Sequence, residues 1–219
     1  MPVEVRYADD TLLVVDKPSG LLSVPGRGPA NADCVSARVQ AEYPDALVVH
    51  RLDMGTSGLM VLARGVEAQR RLSAQFAQRQ VDKMYEALVA GIPIESASGG
   101  WSQIRLPLQV DWPNRPRSHV TFEGGKPSHT RWRLVGPPLT QHGDTRMIHS
   151  RVALQPLTGR SHQLRVHLLA TGHPILGDEL YAPPAIAQAA TRLMLHAGAL
   201  SFNHPVTGVR LSFTQPAPF

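Results

Sequence analysis

Apolar and polar positions follow recognisable periods along most of the chain. Val3–Tyr7 and Leu12–Val15 are short β-type runs, and Ala8-Asp9-Asp10 between them predicts a hairpin. Lys17-Pro18-Ser19-Gly20 ends the second run, and Pro25-Gly26-Arg27-Gly28-Pro29 predicts a loop. Asp33 is placed to cap a helix reaching about Tyr43, where Pro44 stops it. Leu47–Val49 and Gly58–Ala63 read as short strands. From Val66 to Arg79 the period turns helical, with Ala68, Leu72 and Phe76 four apart on one face. Lys83–Val89 alternates again, placing Tyr85, Ala87 and Val89 on one side. Residues 93–127 are rich in Pro, Gly and Trp and predict loops with short strands. Ser128–Val135 and Arg146–Leu154 are strand candidates. Ser161 is placed to cap a helix through Leu169, with Gly172 as its stop. Leu193–Phe202 and Val209–Phe213 predict closing strands around His204-Pro205. Many strands with few helices, and no strict βαβ alternation, argue for an α+β fold. No dividing linker, internal repeat or low-complexity tract stands out, so residues 1–219 read as one domain.

Composition narrows the class. Of 219 residues, 42% are hydrophobic and 18% charged, enough apolar material to exclude disorder across the whole chain. No run reaches the ~18 apolar residues of a membrane span. The N-terminus lacks the basic start and apolar core of a secretory signal. Cys34 is the one cysteine, which excludes an internal disulfide and a Cys-rich zinc module. A cytoplasmic protein is expected.

Charge adds a partner. The formal net charge is +5, and only Lys17, Lys83 and Lys126 among the 22 basic residues are lysine. A guanidinium fork grips phosphate at two points and stacks on bases, although biased codon use would also enrich Arg. The distribution says more: residues 101–170 hold ten basic side chains against three acidic, while the rest of the chain is slightly acidic. That is the footprint of a polyanion partner, the alternative being a solvated basic face.

Two clusters are candidates for chemistry. His50-Arg51-Leu52-Asp53-Met54-Gly55-Thr56-Ser57-Gly58 lies between two predicted strands, where a scaffold can present side chains to a cleft. Taken locally, Asp53 beside Arg51 fits a structural ion pair or a turn cap as well as a reactive carboxylate. The second cluster runs from Thr158-Gly159-Arg160 to His167. A helix from Ser161 puts Ser161 and Arg165 on one face, anchored by Leu164 and Leu168, with an anion site at its start beside Arg160. Arg165 on such a helix can orient a carboxylate; the alternative is surface charge on an amphipathic helix.

The first cluster resembles the signature H-R-L-D-x-x-T-S-G-L of the RluA family of RNA pseudouridine synthases. Asp16-Lys17-Pro18-Ser19-Gly20-Leu21, Lys83-x-Tyr85-x-Ala87, Thr158-Gly159-Arg160 through His167, Gly172-His173-Pro174-Ile175-Leu176-Gly177-Asp178, Leu195-His196-Ala197 and His204-Pro205 resemble the same family in the same order. Ser23-Val24-Pro25-Gly26-Arg27, Asp111-Trp112-Pro113-Asn114-Arg115-Pro116 and Gly125-Lys126-Pro127 are similar to a short, dual-specificity branch that modifies tRNA uridine 32 and 23S rRNA uridine 746. With so little chain before Val3, the S4-type RNA-binding domain of many relatives is not expected.

The resemblance implies a mixed, mostly antiparallel sheet with flanking helices and a central RNA-binding cleft. It implies isomerisation of a flipped-out uridine, with Asp53 reacting, Arg165 pairing with it, and Tyr85 stacking on the uracil. Whether Asp53 attacks C1′, attacks C6 or removes a sugar proton stays open. Arg51 matches the residue that fills the gap left by the flipped base. His50, Arg115, Arg117, Lys126, Arg160 and His162 are the further RNA contacts expected. No cofactor or metal is implied. The partners implied are the tRNA anticodon stem-loop and a 23S rRNA hairpin, with the enzyme a monomer and no membrane involved.

Three rivals differ in class. A catalytically silent RNA-binding protein of the same fold would not be expected to keep Asp53, Tyr85 and Arg165 together. A serine hydrolase finds no G-x-S-x-G and no supporting Asp-then-His pattern. Metal binding by His162, His167 and His173 has spacings that do not share one helix face.

Overall fold

A computed structural model describes residues 3–95, 100–142 and 145–219. Residues 96–99 of the loop-rich stretch, and Asp144 of the charge count, lie outside them. The elements in chain order are β1 (Glu4–Ala8), β2 (Leu12–Lys17), α1 (Val35–Gln40), β3 (Ala46–Val48), β4 (Ser57–Arg64), α2 (Val66–Ala77) and β5 (Asp82–Ala90). They continue with β6 (Ser102–Ile104), β7 (Leu108–Val110), β8 (Ser118–Val120), β9 (Thr130–Leu134), β10 (Leu139–His142) and β11 (Thr145–Pro156). The last are α3 (Gln163–Ala170), α4 (Pro184–Ala187), β12 (Leu195–Asn203) and β13 (Arg210–Thr214). This is an α+β fold dominated by antiparallel strands. The chain organises into two compact units, residues 1–83 with 196–218, and residues 84–195 with Phe219.

In the first unit the strand order is β1-β2-β4-β12, with β3 on β4 and β13 on β12. The predicted hairpin forms because Asp9 closes its turn: Oδ1 accepts the Thr11 and Leu12 N–H groups at 2.7 and 2.9 Å. Leu12 and Val14 of β2 and Leu59, Val61 and Ala63 of β4 build a core with Leu72 of α2 and Phe202 of β12. The helix predicted from Val66 forms with Ala68 and Leu72 buried, as its period requires. Asp33 does not cap α1. Cys34 does, its sulfur accepting the Ala37 N–H, while the Asp33 carboxylate is drawn to Arg38. The helix ends at Gln40, short of Tyr43.

In the second unit the order is β5-β11-β9-β6, with β10 on β11, and β7 and β8 form a separate hairpin. Ala87, Val89, Trp132, Val152 and Leu154 pack with Leu164 and Leu168 of α3. Ser161 is not the cap of α3. The helix starts at Gln163, preceded by His162 in the left-handed region at φ 54°. The Gln163 amide oxygen takes the Thr158 hydroxyl and the Arg160 N–H, and its NH2 bonds His129 O and Thr130 Oγ1, so this side chain organises the turn. Gly172, at φ +83°, does end the helix.

Candidate active site

The His50–Gly58 loop of the first unit is fastened from beneath by residues 17–23. Lys17 is fully buried, and its ammonium donates to the carbonyls of Pro18, Met54 and Thr56 at 2.9, 2.9 and 2.8 Å. Ser19 Oγ donates to Gly55 O at 2.7 Å. Ser23 Oγ donates to Leu52 O and accepts the Leu52 N–H, at 2.7 and 3.1 Å. Gly20 N–H donates to Met54 O, and Thr56 N–H closes the turn onto Asp53 O. The loop's carbonyls thus converge on one buried cation, a charge-assisted arrangement that resists rearrangement. Asp53 stands half-buried on this frame, and Arg51 is exposed.

The flanks of the loop are equally determined. Gly58 is at φ +111°, and a Cβ there would sit 2.3 Å from Ala197 O of β12, so the close parallel pairing of β4 with β12 requires glycine. Beside it, Ser57 Oγ and His196 Nδ1 are 2.8 Å apart, and His196 Nε2 lies 3.1 Å from Gln215 O. The carbonyl demands a proton on Nε2, so Nδ1 accepts the serine hydroxyl. His50 turns inward. Its Nε2 accepts the Val61 N–H at 3.1 Å, and its ring stacks on Phe76 with centroids 4.5 Å apart. Burial, reinforced by the Lys83 charge, pushes its pKa down to about 3. The ring is a neutral anchor of the loop.

The second unit assembles a network around Arg165. Its Nε and Nη2 donate to Oδ2 and Oδ1 of Asp178 at 2.8 and 2.6 Å. Asp178 Oδ1 also accepts the N–H groups of Leu180 and Tyr181. The guanidinium lies 5.0 Å from the Tyr181 ring centroid. Tyr181 OH accepts the Ser118 N–H of β8 at 2.8 Å and bonds His162 Nδ1 at 2.6 Å. Tyr85, half-buried on β5, stands across from Leu154 of β11 and packs on the core.

Several expected RNA contacts gather near this network. Arg115 and Arg117 are exposed at the tip of the β7–β8 hairpin, with Arg115 stacked 4.2 Å from the exposed Trp112 ring. Lys126, also exposed, pairs its backbone with Leu108 of β7, and Arg160 Nε reaches Pro127 O at 3.4 Å. His162 is committed to Tyr181, His167 to Thr130 and Leu106, and His173 to Ala90 O. Among the described residues no group of three or more His, Cys, Asp or Glu is placed to hold a metal ion, and no helix is long and apolar enough to cross a membrane. Local spacing assigned no role to Lys17, Ser19, Ser23, Asp178 or Tyr181. Lys17, Ser19, Ser23 and Asp178 lie inside family-like motifs, whereas Tyr181 lies three residues beyond the last residue of one.

The chain resembles known proteins over nearly its whole length. Residues 11–170 match the family RNA pseudouridylate synthase. The chain is 48% identical over 215 residues to the dual-specificity RNA pseudouridine synthase RluA of Escherichia coli strain K12, covering 98% of this chain and 93% of that protein. It is 48% identical to the RluA of Yersinia pestis, covering 99% of that protein. Among solved structures, human RNA pseudouridylate synthase domain containing 1 superimposes with a TM-score of 0.80 at 28% identity, over 99% of this chain and 84% of that one.

Proposed function

The chain belongs to the RNA pseudouridylate synthase family, and from that premise we propose that Asp53 is the reacting group and that its targets are tRNA uridine 32 and 23S rRNA uridine 746. The protein is an RNA pseudouridine synthase, an isomerase that acts on RNA. The reaction breaks the bond from uracil N1 to ribose C1′ and forms one from C5 to the same carbon. C5 gives up a proton and N1 takes one, so no oxidant or group donor enters.

The observation that carries the reading is the loop on which Asp53 stands, held by Lys17, Ser19 and Ser23. A carboxylate on so fixed a frame can meet a flipped nucleotide without first being ordered, which lowers the barrier. Tyr85 stacks on the displaced uracil and serves the proton transfer. Arg165 pairs with the Asp53 carboxylate when the substrate is bound and orients it. Arg51 fills the space left in the RNA, offsetting the few kcal/mol that flipping costs. Arg115, Arg117, Lys126 and Arg160 grip stem phosphates, with His162 supporting them. Sites in loops suit the mechanism, because their bases are already partly unstacked. The enzyme works as a monomer in the cytoplasm, where these RNAs reside.

The 48% identity to dual-specificity relatives supports the paired targets. The test is a deletion strain complemented with wild-type protein or Asp53→Asn, its tRNA and 23S rRNA mapped for pseudouridine by chemical adduct and primer extension. Wild-type protein restores both sites and Asp53→Asn neither, while the purified variant still binds RNA. Restoration by Asp53→Asn ends the assignment of the carboxylate. Restoration at other uridines only ends the assignment of targets.

A further inference from the structure

The far face of the second unit's sheet carries a cationic, aromatic patch to which nothing above assigns a role. Register places it. Ser102 of β6, Trp132 of β9, Leu154 of β11 and Tyr85 of β5 stand opposite one another in a row. Side chains alternate across a sheet, so Gln103, Arg131 and Gln155 point the other way, as do Arg133, Ala153 and Glu86. Trp101, one residue before β6, is half-exposed, with the guanidinium carbons of Arg131 and Arg133 at 5.4 and 4.9 Å from its ring. Gln103 Oε1 holds Arg105 at 2.7 Å and His129 Nε2 at 3.1 Å, and Gln155 Oε1 holds Arg131 at 3.2 Å.

The neighbouring carboxylates are engaged. Glu86 pairs with Arg151 at 3.0 Å, and Glu95 accepts the Leu134 N–H. The field at the patch is positive: besides burial, Arg105 and Arg131 both press the His129 pKa down. Two arginines stacked on one indole, at the edge strand of a sheet, present flat charged faces and N–H edges. That is the chemistry of a phosphate-and-base contact.

We propose that Trp101, Arg105, Arg131 and Arg133 form a second RNA-binding surface, on the sheet face opposite Tyr85, which holds RNA beyond the stem-loop being modified. The proposal rests on the RNA-modifying reading above. Because the patch and Tyr85 lie on opposite faces, a short hairpin engaged at Tyr85 does not reach it. A longer RNA turns around the edge strand β6 and does.

The full chain is compared with Arg131→Gln/Arg133→Gln and, separately, with Trp101→Leu. The probes are an unmodified full-length tRNA transcript and its isolated anticodon stem-loop. With the full-length RNA, both variants raise KM and Kd about tenfold at unchanged kcat. With the stem-loop, neither constant moves. The arginine variant also flattens the salt dependence of full-length binding by roughly 1.4–1.8 in log–log slope, the release expected from two lost phosphate contacts. Wild-type affinity for the full-length RNA in the arginine variant overturns the proposal. So does an equal loss on both RNAs, which places these residues at the stem-loop itself. Should wild-type protein bind both RNAs yet form no pseudouridine in either, the target assignment fails, while the Kd comparison still decides the patch.

Discussion

Arg165 and Asp178 form a two-point ion pair inside the second unit, with side chains 7% and 1% exposed. Nε and Nη2 are spent on this fork, which leaves Nη1 outside it and fixes the plane in which it points. Removing one partner of a buried pair typically costs 3–5 kcal/mol. Asp178→Ala therefore destabilises the protein by about that amount in urea unfolding. Asp178→Asn keeps an acceptor, folds, and loses kcat more than RNA affinity. In an Arg165→Met background, Asp178→Asn lowers kcat no further. Additive losses in that cycle refute a positioning role for Asp178.

Lys17 is the keystone under the Asp53 loop. Lys17→Met leaves three carbonyls without their donor, at a cost of at least about 2 kcal/mol. Hydrogen exchange speeds up at Thr56 and Gly20, whose N–H groups are bonded within this frame. Activity at 25 °C drops more than the folded fraction does. Unchanged exchange at both amides counts against the role.

Gly58 and Gly65 separate strain from space. Both have positive φ, but a Cβ at Gly58 meets Ala197 O at 2.3 Å, whereas one at Gly65 meets nothing within 4 Å. Gly65, at φ 80° and ψ 160°, holds a conformation nearly confined to glycine, so Gly65→Ala costs about 1–3 kcal/mol of backbone strain. Gly58→Ala adds a collision with backbone and costs roughly 3 kcal/mol or more. Thermal melts of the two variants side by side check the ordering, and equal shifts contradict it.

His50 gives stability a pH slope. Its pKa is about 3 in the fold against about 6.5 in the unfolded chain. Between those values the unfolded chain binds a proton that the folded one does not, so stability falls as pH falls from about 6.5 towards 3. The slope from this group reaches at most about 1.4 kcal/mol per pH unit. His50→Gln keeps an acceptor for the Val61 N–H and does not titrate. Its unfolding free energy, measured in urea at pH 7, 6, 5 and 4, loses that part of the slope. A wild-type slope in the variant assigns the acid sensitivity elsewhere.

Where local chemistry sufficed, the pattern of residues was a sound guide. The 3.6-residue period of Val66–Arg79 became α2 because the apolar face is written in local spacing, whichever distant residues cover Ala68 and Leu72. The β1–β2 hairpin followed from Asp9 closing its own turn. Capping failed as a guide. Asp33 and Ser161 carry the preferred side chains, yet Arg38 drew the first away, and Gln163 took over the turn around the second. Capping preference is worth about 1 kcal/mol, and a nearby charge or amide outweighs it. The two-unit organisation left no mark in composition, because its boundaries at 83/84 and 195/196 fall inside β5 and β12.

The class of chemistry is carried by the order of residue types. A motif is a run of residue types, and the loop bearing Asp53 is legible as one. Which side chains support it emerges from the packed fold alone. It set Lys17 and Ser19 beneath residues 54–56, joined Asp178 to Arg165, turned His50 inward, and sorted the arginines of β9 onto the face away from Tyr85. Those pairings span from 11 to 39 positions along the chain. No local period encodes them, because they arise when distant strands and loops bury their polar groups against one another and must satisfy them there.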